Sequence, residues 1–131
     1  MKIYFDHGKL NVYQESIRFV AWVSGLLDTV PKSLAAHNQL DRASTSISLN
    51  IAEGNGKYTS PDRCRFFDIS RGSAFESAAC LDVLCAKGVI SKEVADKGKE
   101  ILCPIVSMLV GLIKSNSSDR AYEEGAEYGA E

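Results

Sequence analysis

The residues in this chain that could do chemistry are few, and their spacing decides what each could do. Asn50 to Arg63 reads NIAEGNGKYTSPDR, with two glycines, a lysine, a threonine and a serine. A phosphate loop needs G-x-x-x-x-G-K-[ST] after a strand and before a helix, so that backbone amides face the anion. Here Tyr58 follows Gly56-Lys57, no glycine stands at the required earlier position, and the preceding pattern is helical. The stretch therefore predicts a corner between two helices. Its glycines suit a helix end in the left-handed conformation. Ser60 then caps the next helix, Pro61 takes its first position, and Asp62 suits the positive helix terminus.

Glu76 is the most interesting single side chain. Its stripe neighbours at helical spacing are Ile69, Ser73 and Cys80, which turns the carboxylate toward the interior. A carboxylate there needs a partner or a proton. Asn50, Glu53, Arg42 and Arg71 are the candidate partners. A polar network of Asn50, Glu53, Ser73 and Glu76 that fixes helix register is the preferred reading; a general acid or base is the sharper alternative. No Glu-x-x-His pair is present, and the four cysteines form no CxxC pair. His7 and His37 fall near helix ends, far in sequence from any cysteine, and no serine has a helix-facing histidine partner. The expectations are therefore no enzyme, no cofactor, no metal site, and reduced, mostly buried thiols.

Arg42, Lys57, Arg63, Arg65 and Arg71 concentrate around the second and third helices and are the candidate contacts for a partner or a nucleic acid. Asp41, Glu53, Asp62 and Asp68 interleave with them, which favours a mixed solvated face. No alternation of aromatic and basic residues suggests base stacking.

Four helices must position these groups. In the first, Asn11 caps and Gln14 completes a capping-box-like pair. Tyr13, Ile17, Val20, Ser24 and Leu27 form one stripe, and Phe19, Val23, Leu26 and Val30 form another, with Trp22 nearby. Pro31 ends the element. The second helix carries Leu40, Ala43, Ile47 and Ile51 among small hydroxyl residues. The third, from about Pro61 to Lys87, carries Phe66, Ile69, Ser73, Glu76, Cys80 and Val83, with Phe67, Ala74, Ala78, Leu81 and Cys85 alongside. Gly88 closes it, and Ser91 caps the fourth. There Val94, Gly98, Ile101, Ile105, Met108 and Leu112 keep four-three alternation beside Leu102, Val106, Leu109 and Ile113. Pro104 lies inside that pattern.

Short connections predict an all-α, antiparallel up-down-up-down four-helix bundle over residues 1–115. Several helices are apolar on more than one face, whereas a lone bundle needs one wide stripe per helix. The surplus, Phe19, Trp22, Leu26, Leu109 and Ile113, predicts burial against another copy of the chain.

A length of 131 residues fits this one domain, and 45% hydrophobic with 24% charged residues is ordinary for a soluble protein. The net charge of −2 argues against a generally basic nucleic-acid binder. Residues 116–131 hold Asp119, Glu123, Glu124, Glu127 and Glu131 against Arg120 alone, a net −4, and predict an acidic, disordered tail. No signal-peptide pattern is visible, and the apolar run Ile101 to Ile113 is too short to span a bilayer. The expected location is the cytoplasm.

Three segments, KLNVYQESI, LDRASTSISLNIAEGNG and RFFDISRGSAFES, resemble the four-helix-bundle proteins encoded by intervening sequences of bacterial large-subunit ribosomal RNA genes. Accessory proteins of diversity-generating retroelements are similar too. The resemblance spans about Lys9 to Leu112 and is most specific at Asn50-Ile51-Ala52-Glu53-Gly54 and at Arg71-Gly72-Ser73 with Glu76. It implies a protomer that assembles into a ring-like homopentamer and lacks a defined activity. In the retroelement relatives it implies binding to a reverse transcriptase and to nucleic acid. Those relatives are strongly basic, whereas this chain has a pI near 5.7. Ser48 stands where the family often has proline. The function expected is a non-enzymatic oligomeric scaffold that binds a partner protein or nucleic acid. The alternative is a nucleic-acid-binding accessory factor that acts through its basic region.

Overall fold

A computed structural model describes the backbone of residues 2–128 and the side chains of residues 2–117. Every regular element among them is helical. A 3-10 turn, Asp6–Lys9, leads into α1 (Asn11–Leu27), α2 (Ala35–Asn55), α3 (Ser60–Ala86) and α4 (Lys92–Tyr128). The expected boundary at 115/116 and the expected disorder of 116–131 bear mainly on side chains outside the described residues. The α4 backbone is continuous through Tyr128. No helix among the described residues is long and apolar enough to cross a membrane.

The helix ends follow local chemistry, with three departures from the predicted caps. Leu10, not Asn11, is the N-cap of α1 and makes no side-chain cap bond. Gln14 instead donates its Nε2 proton to the Gly8 carbonyl, at 2.9 Å, and ties the 3-10 turn to the helix. Thr59, not Ser60, caps α3 by accepting from the Asp62 amide at 3.3 Å. Gly54 and Gly56 are not left-handed; Gly88, with φ +74°, is the one positive-φ glycine among the described residues. The Gly88 amide donates to Cys85 and the Val89 amide to Leu84, the paired bonds of a Schellman close. Ser91 caps α4 as expected, accepting from the Val94 amide at 3.2 Å. Gly54 serves close packing instead. A Cβ there would lie 2.9 Å from Phe67 Cε1 and 3.0 Å from Phe66 Cβ.

The core draws one stripe from each helix. The α2 stripe is the predicted one, extended to Ala36, Leu40, Ala43, Ile47, Ile51 and Gly54. The core also keeps Phe19, Val23 and Val30 of the second row predicted for α1, and Phe67, Ala74 and Leu81 of the parallel row predicted for α3. In α1 the buried set is Val12, Ser16, Phe19, Val23 and Leu27. In α4, Ala95, Gly98, Leu102, Ile105 and Leu109 are buried, lying between the two predicted rows. In α3 the inward row is Phe67, Ser70, Ala74, Ser77, Leu81 and Leu84, which follows the predicted parallel row and not the stripe through Ile69, Glu76 and Val83.

The reason for the α3 shift is the satisfied hydroxyls. Ser70 Oγ donates to the Ile47 carbonyl at 2.8 Å, and Ser77 Oγ to the Ser73 carbonyl at 2.9 Å. Ser16 and Ser48 share a bond of 2.8 Å inside the core. A serine that returns its proton to a nearby carbonyl or hydroxyl buries little unsatisfied polarity. It also lets two backbones approach. The α2–α3 contact, rich in such residues, is the most extensive in the molecule.

Candidate partner-binding faces

Three surfaces carry the residues singled out by the sequence. The first is a polar groove between α2 and α3. Gln39, Arg42, Ala43, Ser46, Ser73 and Glu76 line a recess of about 390 Å³. A second recess of about 500 Å³ continues past Arg42 and Ser46 to Leu49, Asn50 and Glu53. Ser46 organises the groove floor. Its hydroxyl accepts from Ser73 Oγ at 2.8 Å and from Asn50 Nδ2 at 2.9 Å. The structure thus brings Asn50 and Ser73 together, through a residue the predicted network omitted.

Glu76 and Glu53 are exposed, not buried, so the interior carboxylate expected at Glu76 does not exist. The phase shift of α3 carries Glu76 outward, where water solvates it. The Glu76 charge reaches Cys80, whose thiol is raised above the ordinary range first by burial and then by this carboxylate. Among the described residues no group of three or more His, Cys, Asp or Glu side chains could hold a metal ion. All four cysteines are free; Cys64 and Cys80 are buried, while Cys103 is exposed.

The second surface is the α2–α3 corner. Here the five basic residues separate into different jobs. Arg63 is structural: it donates to the Asn55 carbonyl at 2.9 Å, the Lys57 carbonyl at 3.1 Å and Asn116 Oδ1 at 3.2 Å. Arg71 pairs with Asp68 on an exposed turn. Arg42 lies apart, in the groove. Lys57 and Arg65 converge on one ring, their cations 5.0 Å and 4.7 Å from the Phe66 centroid. Tyr58 stands beside them, fully exposed. Aromatic and basic side chains do meet here, against the expectation from linear spacing. Lys57 and Arg65 are eight positions apart, and only the turn between helices brings them to the same ring.

The third surface is the outer side of α3. Phe19 and Leu109 were expected at an interface, yet both are fully enclosed in one protomer. The core stripes of α1 and α4 run through them, so their area is already covered. Trp22, Leu26 and Ile113 are partly buried against the same core. Trp22 and Leu26 edge an apolar recess of about 410 Å³ with Val94. The uncovered apolar area lies elsewhere. Ile69, Phe75 and Val83 of α3 are 44%, 54% and 43% exposed, and Leu49 of α2 is 60% exposed. Gly72, on the same side, has nothing within 4 Å of a built Cβ. The signal was present in sequence, because Ile69, Glu76 and Val83 repeat every seven residues. That repeat marks the outward side of α3, not the core.

Comparison with known proteins agrees with this architecture. A solved structure, described as a protein of unknown function from the S23 ribosomal protein family of Bacteroides thetaiotaomicron VPI-5482, superposes with a TM-score of 0.74 at 24% identity. The match covers 79% of this chain and 98% of that one, and it speaks to fold alone. No curated protein sequence matches the chain. The family model described as 23S rRNA-intervening sequence protein matches residues 8–111, most of the bundle. The chain belongs to the 23S rRNA-intervening sequence protein family.

Proposed function

We propose that this chain is a non-enzymatic cytoplasmic scaffold: an antiparallel up-down-up-down bundle that associates with copies of itself and presents its remaining surface to a partner protein or nucleic acid. Contacts of Ile47 with Ser70 and of Asn55 with Arg63 support the antiparallel course of α2 and α3. The observation that carries the assembly is the outer face of α3. Ile69, Phe75 and Val83 leave apolar surface in water on either side of an unobstructed Gly72. Small residues let helices approach closely, and contiguous exposed apolar surface marks an interaction site. A second copy is the occupant that fits, because the flanking groove supplies both an exposed cation, Arg42, and exposed carboxylates, Glu53 and Glu76. A self-complementary patch of this kind suits association between identical chains. The ring of five implied by the family resemblance is the proposed stoichiometry.

Sedimentation at micromolar concentration tests this. The expected species is about five times the 14.3 kDa protomer. Ile69→Glu combined with Val83→Glu is expected to yield a monomer with unchanged helical circular dichroism. A monomeric wild-type protein would sink the assembly.

The stacked cations at the corner favour a second reading, in which Lys57, Tyr58 and Arg65 bind single-stranded nucleic acid by charge and stacking. Binding of an unstructured oligoribonucleotide should then weaken with salt. Its salt slope should fall by about one for each cation replaced by alanine. No binding at low salt would exclude this reading.

A further inference from the structure

Phe75 stands on α3 between two small exposed residues, Gly72 three positions before it and Ala79 four positions after. Those are its neighbours on a helix surface, so the ring projects as a knob. The Arg71 guanidinium lies 5.8 Å from its centroid, yet the residue is still 54% exposed. Of the acids on this side, Asp68 is held by Arg71 and Asp82 by Lys99. Glu76, next to Phe75, takes part in no ion pair among the described residues.

Hollows of matching character lie on the α1–α4 seam, the least extensive contact between neighbouring helices among the described residues. The recess of about 410 Å³ at Trp22, Gly25, Leu26 and Val94 has Lys97 as its one charged lining residue. A second recess, of about 270 Å³, lies further along the seam at Leu10, Val12, Met108 and Leu112. Lys97 also takes part in no ion pair, although Glu93 and Glu100 lie one turn to either side of it on α4 and Asp28 lies just past Gly25.

Given self-association through the outer face of α3, on which this rests, we propose that α3 of one copy lies along the α1–α4 seam of the next. Phe75 seats in the recess beside Trp22 and Val94, and Glu76 is set against Lys97. An aromatic side chain that fills a pocket is the usual anchor of such a contact. The lengths agree: Ile69 to Val83 spans about 21 Å along α3, and Val12 to Gly25 about 20 Å along α1. The charges are opposite, and each is unpaired in the protomer. Gly25, like Gly72, has nothing within 4 Å of a built Cβ, so the two helices can approach closely. The contact joins two different faces and is therefore head-to-tail. Packing of α3 on α3 about a two-fold axis would cover the knob but leave both recesses in water.

The test uses the full chain with Cys103→Ser, which removes the exposed native thiol. Ala79→Cys, which keeps Phe75, and Gly25→Cys are made in separate chains. Co-expressed and mildly oxidised, the two should give a mixed disulfide-linked pair, and neither alone should link to itself. Lys32→Cys, exposed and on neither face, sets the background of chance collision. One chain with both cysteines should give a ladder beyond the dimer. Phe75→Ala should weaken self-association roughly thirtyfold in sedimentation, as loss of an anchor residue does. Glu76→Lys and Lys97→Glu should each weaken it, and both together in one chain should recover most of the loss. Ala79→Cys chains linked to each other would overturn the docking but leave self-association standing. So would the absence of a mixed product from protein that still sediments as an oligomer, or no recovery in the double reversal. A monomeric wild-type protein would remove both.

Discussion

Gly98→Ala is expected to lower stability by about 2 kcal/mol, although alanine is the better helix former by about 1 kcal/mol. A Cβ at position 98 would lie 2.5 Å from Leu81 Cδ1, 2.7 Å from Trp22 Cη2 and 2.8 Å from Trp22 Cζ3. A methyl end is movable in principle, but Leu81 is fully enclosed, and a close-packed core gives it little room. The indole is rigid and lies against Phe19, ring centroids 6.0 Å apart. Overpacking of this kind costs about 3 kcal/mol at the upper end of its usual range. The clash outweighs the propensity gain. Gly111→Ala is the internal control: it lies in the same helix, with nothing within 4 Å of a built Cβ. It is expected to stabilise by up to about 1 kcal/mol. Urea unfolding at one fixed protein concentration reads both, because self-association would make the midpoint concentration-dependent. A Gly98→Ala protein as stable as wild type would mean that α1, α3 and α4 do not meet this closely.

The helices were legible because their stop signals are local. Pro31, Pro61, Gly88 and Ser91 act within one turn of themselves, and the number of helices follows from them. Phase was less legible. In α1 and α4 two apolar rows lie side by side; the core took the second row in α1 and the arc between the rows in α4. In α3 the deciding residues are Ser70 and Ser77, whose polarity vanishes only when their acceptor carbonyls are in place. A hydropathy count ranks Ile69 and Val83 above them and turns the helix the wrong way.

The site suffered from the same error. Once α3 is rotated, Glu76 moves from the interior to the groove wall, and Ile69 and Val83 move from core to surface. Asn50 and Ser73 were recognised as polar partners, but their meeting point, Ser46, is an unremarkable serine among several in α2. The roles of the five cations were likewise hidden. Nothing in the one-dimensional spacing separates Arg63 from Arg65, yet they are adjacent but one and point to different neighbours.

That separation sets the second large effect. Arg63→Ala is expected to cost about 2–3 kcal/mol, whereas Arg71→Ala should cost less than about 1 kcal/mol. Arg63 spans three segments with four acceptors: the Asn55 carbonyl, the Lys57 carbonyl, Asn55 Oδ1 at 3.4 Å and Asn116 Oδ1. The last carbonyls of a helix have no partner of their own, and here the guanidinium supplies one. Truncation leaves the partly buried carbonyl of Asn55 without its charged donor and frees α4 from the corner. It also removes a cation 6.0 Å from the Phe67 ring. Arg71 by contrast makes one exposed ion pair, to Asp68 at 3.1 Å, which water and salt readily replace. Arg63→Lys separates charge from geometry. An ammonium keeps the positive charge but cannot address three segments from one planar fork, so it should recover less than half of the loss. Full recovery by lysine would show that charge alone holds the corner. Equal costs for Arg63→Ala and Arg71→Ala, measured by thermal or urea unfolding, would show that the corner bonds contribute nothing beyond an ordinary surface pair.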